Sequence, residues 1–269
     1  MVESGRPLAG RSAWLITDGK AGTEALCYGL AERLGVVVRL VRVAPRGLPR
    51  LLAPWGPLPR AERIGTAASP LTPPWPDLVI ASGRTSMPYL RALARAAGPA
   101  TYRVVLQDPH LPAAAADLIW VPDHDRRRGA NVVHTPTGPH RFSPQRLAAL
   151  RQQLPDSIAA LPHPRVMVSV GGPSKVYRYG ETTTVRLARA LERLAAIAGS
   201  LLITTSRRTP PAVAAAVESA TLAGPRLLWS GSGDNPYPYF LAAADAFFVT
   251  ADSVNMVGEA AVTGRPVHL

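Results

Sequence analysis

The sequence predicts an α/β protein with two doubly wound, Rossmann-like domains that face a cleft. Short apolar stretches of strand length alternate with longer segments of helical periodicity along the 269 residues. The strand candidates are apolar throughout, which indicates parallel sheets covered on both faces. A polar, proline-containing stretch at 151–164 separates two rounds of this alternation. We therefore expect an N-terminal domain over 1–155 and a C-terminal domain over 156–269.

The first half contains six strand candidates, which lie at 13–17, 36–43, 77–81, 103–107, 117–121 and 131–134. Helices are predicted over 21–34 and 86–97, and leucines recur at every fourth position in the first of them, so that they share one face. The segment 45–76 is rich in proline, which fixes φ and lacks an amide donor. An irregular loop is expected there.

The second half repeats the pattern with five strand candidates, at 165–170, 200–205, 226–229, 246–250 and 266–269. Helices are predicted over 182–198, 210–221, 236–244 and 253–263. The sequence stops on an apolar strand candidate, which a doubly wound domain would normally cover. We therefore expect the C-terminal domain to be incomplete.

The amino-acid composition indicates a globular protein with a large core. Apolar residues make up 47% of the chain, which is enough for a large core. No apolar run reaches the roughly 18–20 residues that a membrane span needs, and the first residues lack the organisation of a signal peptide. The single cysteine, Cys27, excludes an intramolecular disulfide. A cytoplasmic protein is expected.

The formal net charge of +12 raises the question of an anionic partner. The arginines are spread over many segments and no nucleic-acid module is recognisable, so no nucleic acid is expected. The stretch LPRLLAPWGPLPRAER, at 48–63, interleaves Leu, Trp and Pro with Arg. It is compatible with an anionic membrane surface and equally with a loop that tucks its apolar side chains inward. Peripheral attachment to the inner face of the membrane is thus an alternative location.

Polar and glycine residues follow the strand candidates, at the edge where parallel sheets bind ligands. In the second half these residues are Gly171, Gly172, Ser174, Lys175, Ser206, Arg207 and Arg208. A glycine pair allows backbone amides to approach an oxyanion closely, and the cations add charge. Lys20 and Lys175 are the two lysines among 30 basic residues, and both lie in short glycine-containing loops. The pattern predicts a diphosphate site, with a simple tight turn as the alternative for the glycine pair alone.

Three strand-end residues of the first half are candidates for a general base, and they are Asp18, Asp108 and His110. Each could instead cap a helix or shape a turn. No metal site is predicted. In the run 123–125, Asp-His-Asp, adjacent side chains of an extended segment point to opposite sides and cannot easily share one ion.

The stretch TADSVNMVGEA, at 250–260, places acids between two apolar runs. Asp252 or Ser253 is the expected N-cap of the helix that follows. The helical spacing puts Asp252, Asn255 and Glu259 on one face, and Val254, Val257 and Ala261 on a core-facing one. The residues assigned to the nucleotide site are Asp252, Ser253, Met256 and Glu259. Asp252 is expected to be mainly structural, and Glu259 to contact the ligand.

Six segments carry a resemblance to a known family, and they read WLITDGKAGTEALCYGLAERLG, DLVIASGRTSMPYLRAL, VVLQDPHLPAAAADLIWVPDHD, SVGGPSK, TTSRRTP and DNPYPYFLAAADAFFVTADSVNMVGEAAVTGRPV. In this order they resemble the mitochondrial-fission "elongated mitochondria" family, over nearly the whole chain except 45–76. The resemblance implies a fold like that of GT-B glycosyltransferases and sugar-nucleotide 2-epimerases. It also implies that Gly171, Gly172, Ser174 and Lys175 contact the diphosphate and that Glu259 binds the ribose. Plant members are known as adaptors that recruit a dynamin, so the resemblance does not decide between enzyme and adaptor.

These observations together favour a GT-B-like protein that binds a nucleoside-diphosphate sugar in the interdomain cleft and transfers the sugar without a metal or other cofactor. The nucleotide-sugar is then a substrate, and the acceptor is unknown, with a lipid-linked compound as one alternative. Two rival hypotheses remain open. One is a non-catalytic adaptor at a membrane surface, and the other is a sugar-nucleotide epimerase or hydrolase.

Overall fold

The computed structural model describes residues 6–174 and 176–269. The chain divides into two compact units, one ending at Arg141 and the other beginning at Phe142. The expected boundary was at 155. Residues 142–164 belong with the second unit because Leu147 and Ile158 are buried in its core, and the expected linker 151–164 forms part of that packing.

The first unit is built on a six-stranded parallel sheet in the order β2-β1-β3-β4-β5-β6. Its strands are β1 (Ser12–Thr17), β2 (Val37–Arg42), β3 (Leu78–Ser82), β4 (Tyr102–Leu106), β5 (Leu118–Pro122) and β6 (Val132–Thr135). Its α-helices are α1 (Ala21–Leu34), α2 (Gly47–Leu52) and α3 (Met87–Ala97). Short 3-10 turns lie at Arg60–Glu62, Arg84–Ser86, Gly98–Ala100 and Ala113–Ala115. The predicted strands and helices of this half are confirmed within one to two residues, whereas α2 occupies part of the segment predicted to be irregular.

The first sheet is covered on both faces, as its apolar strands predict. Trp14 and Val79 pack into one cluster, and their neighbours Leu15 and Ile80 pack into another on the opposite face. Helix α1 ends at Gly35, whose φ of 76° is the left-handed conformation that glycine adopts without strain. Its amide donates to the carbonyl of Ala31 and closes the last turn.

The second unit contains a five-stranded parallel sheet in the order β11-β10-β7-β8-β9. Its strands are β7 (Arg165–Val170), β8 (Ser200–Thr205), β9 (Arg226–Trp229), β10 (Ala246–Val249) and β11 (Val267–His268). Its helices are α4 (Pro144–Gln152), α5 (Asp156–Ala159), α6 (Glu181–Ile197), α7 (Pro211–Ala220), α8 (Tyr237–Ala243) and α9 (Val254–Ala261). The elements predicted after residue 164 are confirmed.

Helix α4 was not predicted, although its first residues carry a recognisable start signal. The hydroxyl of Ser143 accepts a hydrogen bond from the amide of Arg146 at 3.1 Å, and Pro144 occupies the first helical position. Pro144 lacks the amide hydrogen that a first turn leaves without a partner anyway. A capping residue followed by proline would have located the helix.

Helix α9 corrects the predicted core face. Gly258 and Ala260 are its buried residues, whereas Val254 is exposed and Ala261 is also at the surface. Val257 is partly buried against the core. An eight-residue helix with several small and apolar residues has more than one candidate apolar face, and only docking against the sheet selects one.

In each sheet the strand order reverses once. The strands that come first in the chain are added on one side of the starting strand, β1 or β7, and the later strands are added on its other side. The reversal lies between β1 and β3 in the first unit and between β7 and β10 in the second. The loops at the carboxyl ends of these strand pairs leave toward opposite faces, and open α/β sheets bind ligands there. No helix of the described residues is long and apolar enough to cross a membrane.

Candidate functional site

Asp252, just after β10, ties three strand ends of the second sheet together. Its side chain is 1% exposed. The carboxylate accepts hydrogen bonds from the amide of Gly172 at 2.9 Å and from the hydroxyls of Thr250 at 2.7 Å and Tyr179 at 2.8 Å. The guanidinium of Arg208, after β8, lies 3.3 Å away and compensates the charge. Through these contacts Asp252 joins the loops after β7, β8 and β10.

The glycine pair after β7 is required by close packing. A Cβ at position 171 would lie 2.0 Å from a carboxylate oxygen of Asp252, and one at 172 would lie 2.3 Å from the carbonyl oxygen of Arg208. The amides of Gly171 and Gly172 donate to Thr250 and Asp252. The prediction had these amides approaching an oxyanion, whereas here both are satisfied inside the protein. The glycines instead allow three loops to meet.

The loop after β8 is a turn that its own hydroxyls stabilise. Ser206 accepts the amide of Arg208 at 3.1 Å, and Thr209 donates to the carbonyl of Val170 at 3.1 Å. Arg208 donates to the carbonyl of Pro173 at 3.1 Å and so joins the loop after β7. Arg207 is exposed, and within the described chain its guanidinium has no hydrogen-bond or ion-pair partner. It is free to meet an anion from solvent.

Two further predicted residues lie in the loop after β7. The hydroxyl of Ser174 accepts the amides of Val176 and Tyr177, at 3.2 and 3.0 Å, and closes a turn. Lys175 lies outside the described residues, so its predicted contact with a diphosphate stays a prediction.

Glu259 lies on α9, the helix that follows Asp252, and is half-buried. Burial raises the pKa of its carboxyl to about 7, and the hydroxyl of Tyr237, which donates to it at 2.6 Å, opposes this shift. Burial and the Glu259 charge raise the pKa of Tyr237 well above its ordinary value. Glu259 therefore changes charge near neutral pH, and its orientation is fixed by one phenol.

The remaining residues assigned on α9 have different surroundings. Ser253 holds the N-cap position, but its hydroxyl makes no capping hydrogen bond, and the carboxylate of Asp252 is directed to β7 instead. The first turn of α9 thus begins without a side-chain cap among the described residues. Met256 is partly buried against the core of the second unit, so packing accounts for it.

Asp18, after β1, occupies the corresponding place in the first unit. Its side chain is 7% exposed and accepts the hydroxyl of Thr23 at 2.7 Å and the ammonium group of Lys20. Burial alone would raise the pKa of Asp18, but the hydrogen bonds from Lys20 and Thr23 outweigh it and hold the pKa below its ordinary value. A Cβ on Gly83, after β3, would lie 2.7 Å from the Asp18 carboxyl carbon. A carboxylate so stabilised is a weak base.

Asp108 and His110 form a second cluster of the first unit, after β4. Asp108 accepts the amide of His110 at 2.8 Å and the guanidinium of Arg127 at 2.7 Å. The imidazole Nδ1 of His110 lies 3.6 Å from the other carboxylate oxygen. Gln107 and His110 have φ values of 74° and 53°, which strain residues other than glycine and are often found at functional sites. The exposed imidazole beside a fixed carboxylate is suited to accept a proton.

The sequence analysis took the three candidate bases of the first unit together, whereas in the structure Asp18 has one set of partners and Asp108 and His110 have another. No hydrogen bond or ion pair of the described residues joins Asp18 to Asp108. Among the partners that were not predicted are Tyr179, Thr250, Tyr237 and Arg127. Thr250 directly follows a strand and could have been included on that ground, whereas the other three reach the site from distant parts of the chain. No group of three or more His, Cys, Asp or Glu in residues 6–174 and 176–269 could hold a metal ion.

The two parallel-sheet units define a GT-B type of fold, which solved structures share. The UDP-N-acetylglucosamine 2-epimerase from Rickettsia bellii aligns with a TM-score of 0.52 and 15% identity, over 96% of this chain and 78% of that one. The UDP-GlcNAc 2-epimerase from Neisseria meningitidis bound to UDP-GlcNAc gives 0.54 and 12%, over 96% and 82%. A glycosyltransferase from Rickettsia africae gives 0.52 and 11%, over 96% and 78%. At these identities the likeness shows the fold alone.

Sequence comparison gives the family. The family model described as Mitochondrial fission ELM1 matches residues 21–269. The Mitochondrial fission protein ELM1 of Arabidopsis thaliana is 31% identical over 218 residues, which cover 72% of this chain and 51% of that protein. The chain belongs to the mitochondrial fission ELM1 family, which confirms the resemblance seen in the motifs. It spans about half the length of the Arabidopsis relative.

Proposed function

We propose that the second unit binds a nucleoside-diphosphate sugar and that the protein transfers the sugar in the cytoplasm without a metal. The observation that carries the proposal is the convergence of three strand ends on Asp252, at the place in the parallel sheet where the strand order reverses. Nucleotides commonly bind at such places. Two of the solved structures that share the fold were determined with UDP or UDP-GlcNAc bound.

The diphosphate would be neutralised by side chains and a helix terminus rather than by the glycine amides. Arg207 is exposed and has no partner among residues 6–174 and 176–269, and the next residue, Arg208, has a half-exposed side chain. The first turn of α9 has no side-chain cap, so its amides and the positive end of the helix dipole remain for an anion. Lys175 is proposed to add charge from the loop after β7.

Glu259 is proposed to accept the ribose hydroxyls. A carboxylate accepts two such hydrogen bonds, and Tyr237 holds one of its oxygens at 2.6 Å, which leaves the other for the ligand. Since the pKa of Glu259 is about 7, the carboxylate form grows as the pH rises through neutrality. Affinity for the nucleoside should rise over the same range.

In the proposed transfer, an acceptor hydroxyl attacks the anomeric carbon of the bound sugar and the bond from that carbon to the diphosphate oxygen breaks. The electron pair leaves with the diphosphate, whose charge the arginines and the helix terminus stabilise. The acceptor proton passes to the imidazole of His110, whose Nδ1 lies 3.6 Å from the carboxylate of Asp108. Asp18 is the poorer base because its pKa is lowered. The acceptor is unidentified, and a lipid-linked compound is one candidate.

Titration calorimetry on the full chain tests binding. UDP, GDP, ADP, CDP and dTDP are each titrated into the parent protein, and into Arg207→Ala and the matched control Arg186→Ala on the exposed face of α6. We expect one diphosphate to bind and Arg207→Ala to weaken it about tenfold or more, since a charge-assisted hydrogen bond contributes about 1.5–3 kcal/mol. Binding of none of the five diphosphates would end the proposal.

Two other functions have specific support. Kinship with a mitochondrial fission protein favours a non-catalytic adaptor, and likeness to UDP-GlcNAc 2-epimerases favours epimerisation or hydrolysis. Proton NMR of the identified nucleotide-sugar, incubated with protein and no acceptor, separates them. Release of free sugar indicates a hydrolase and a second sugar epimer indicates an epimerase. An adaptor that has lost the nucleotide site would give neither and would show no difference between the parent and Arg207→Ala in calorimetry.

A further inference from the structure

The proline-rich segment 46–63, here called the α2 segment, sorts its apolar side chains onto two sides. Leu58 is buried in the core of the first unit. Leu51 and Trp55 are 74% and 60% exposed, and Leu48 and Leu52 are also exposed. The leucines at 48, 51 and 52 share one face of α2, at spacings of three and four residues. The segment is thus anchored on one side and presents three leucines and a tryptophan to solvent.

Two arginines outside the α2 segment hold its backbone by hydrogen bonds. The guanidinium of Arg84 donates to the carbonyls of Arg50 at 3.0 Å and Leu51 at 3.3 Å. The guanidinium of Arg91, on α3, donates to the carbonyl of Trp55 at 2.6 Å. The acceptors are neutral backbone carbonyls, so these hydrogen bonds do not neutralise the positive charge of either guanidinium. The backbone that carries the apolar side chains is therefore held by hydrogen bonds, and the exposure of these side chains is a property of the fold.

The surroundings of the apolar surface are strongly cationic. The α2 segment contains four arginines, Arg46, Arg50, Arg60 and Arg63, and one acid, Glu62. The carboxylate of Glu62 accepts the hydroxyl of Tyr89. A cavity of about 480 Å³ opens beside Trp55, and the described residues that line it include Arg63, Arg91 and Arg95 and no acid. An apolar surface with arginines around it matches a partner that is apolar inside and anionic at its surface.

We propose that the α2 segment binds the surface of an anionic phospholipid bilayer. Leu48, Leu51, Leu52 and Trp55 enter the boundary between headgroups and acyl chains, where tryptophan is favoured. The arginines face the anionic headgroups, and the cavity beside Trp55 receives a headgroup phosphate. This inference stands apart from the nucleotide site, because it uses residues of the first unit alone.

Vesicle flotation of the full chain tests the proposal. The probes are phosphatidylcholine vesicles with and without about a third of phosphatidylglycerol, an amount that gives a negative surface. The parent protein is compared with Leu51→Ser/Trp55→Ser and with the matched control Ile197→Ser/Leu222→Ser, two side chains of the second unit that are 78% and 67% exposed. We expect the parent and the control to float with the anionic vesicles, and Leu51→Ser/Trp55→Ser to partition about tenfold less or weaker still.

Two further measurements separate insertion from surface adsorption. Lipids brominated on the acyl chains should quench part of the tryptophan fluorescence of the parent, and Trp55→Phe should lose that quenched part. Arg50→Gln/Arg63→Gln should weaken binding severalfold, whereas Arg186→Gln/Arg193→Gln, on exposed positions of α6, should not.

The proposal is wrong if the parent does not float with anionic vesicles, or if Leu51→Ser/Trp55→Ser floats as well as the control. It is equally wrong if sedimentation shows that the parent self-associates through this surface and Leu51→Ser/Trp55→Ser abolishes that association without changing flotation. Urea unfolding of each variant confirms that the substitutions leave the fold intact.

Discussion

The loops at the carboxyl ends of β1 and β7 show the same type of contact in two units that differ in sequence. In both units an acid after a strand lies against a glycine of the neighbouring strand end, Asp18 on Gly83 and Asp252 on Gly171. Asp18 is held by partners from its own loop and from α1, only two and five residues along the chain. Asp252 collects partners up to 80 residues away. The first acid shapes one loop, whereas the second joins three.

This difference indicates where a ligand site is more strongly built. A local contact forms as soon as its loop forms, and it says little about the rest of the sheet. A carboxylate that closes contacts across three strands requires that all of them be in place, and the cost of leaving it without partners is high. The second unit therefore has a strand-spanning network beside Arg207, whereas the first has a local contact at Asp18 and a strained loop at His110.

The largest effect is expected from adding a methyl group at the contact in the second unit. Gly171→Ala would place a Cβ 2.0 Å from an Asp252 oxygen and displace the carboxylate, which should destabilise the protein by about 4 kcal/mol or more. Urea unfolding measures this. Gly180→Ala is the control, because a Cβ there meets nothing within 4 Å.

The double variant Gly171→Ala/Asp252→Ala isolates the contact. Since the overlap is with the Asp252 side chain, Gly171→Ala should cost much less in the Asp252→Ala background than in the parent. Equal costs in both backgrounds would show that the glycine is needed for another reason.

The next largest effect is expected from replacing each of the two acids, Asp252 and Asp18, with alanine. Asp252→Ala leaves three donors and a guanidinium without their acceptor, which should cost about 4 kcal/mol. Asp18→Ala loses the contacts of Thr23 and of a solvent-exposed lysine, at about 1–2 kcal/mol. Hydrogen–deuterium exchange should place the first effect in β7, β8 and β10 and the second in β1 and α1. Similar costs for both would contradict the comparison.

The last expected effect depends on pH, and its sign differs between the units. The raised pKa of Glu259 adds stability below its ordinary pKa of 4.5, and this is lost as the pH rises through about 7. The lowered pKa of Asp18 adds stability above 3.8 that is lost toward acid. Between pH 5 and 8 the parent should therefore lose on the order of 3 kcal/mol relative to Glu259→Gln. Asp18→Asn should flatten the acid side only.

Unfolding at several pH values measures both changes. Glu192→Gln, at an exposed position of α6, is the control and should follow the parent over the whole range. A parent and Glu259→Gln with parallel profiles from pH 5 to 8 would show that the carboxyl is not desolvated in solution.

Local sequence predicted the elements well, because strands and helices follow from apolar periodicity and from the residues that end them. All the predicted strands and helices are present. The failures have local causes as well. Helix α2 lies in a proline-rich stretch where the pattern favours a loop, and α4 carries a cap that was overlooked. The apolar face of α9 could not be chosen from spacing alone.

The sequence indicated the residues of the candidate site and a structural role for Asp252, but it did not indicate the partners that hold most of these residues. Strand ends indicated Gly171, Arg208 and Asp252, and the helical face shared with Asp252 indicated Glu259. Sequence could not indicate that the glycine amides are satisfied by Thr250 and Asp252, or that Tyr237 holds Glu259. Those partners are far apart in the chain, and a residue's type does not reveal which of several donors will reach it.

The sequence by itself determined that this chain forms two parallel α/β sheets and which loops lie at their carboxyl ends, because both follow from patterns that repeat over two to four residues. Tertiary structure alone decided which side chains of those loops are consumed in holding the strand ends and which remain free. It also decided that the leucines and tryptophan of the α2 segment face outward. These outcomes depend on contacts between distant residues, where hydrogen-bond geometry and available volume select one partner among many.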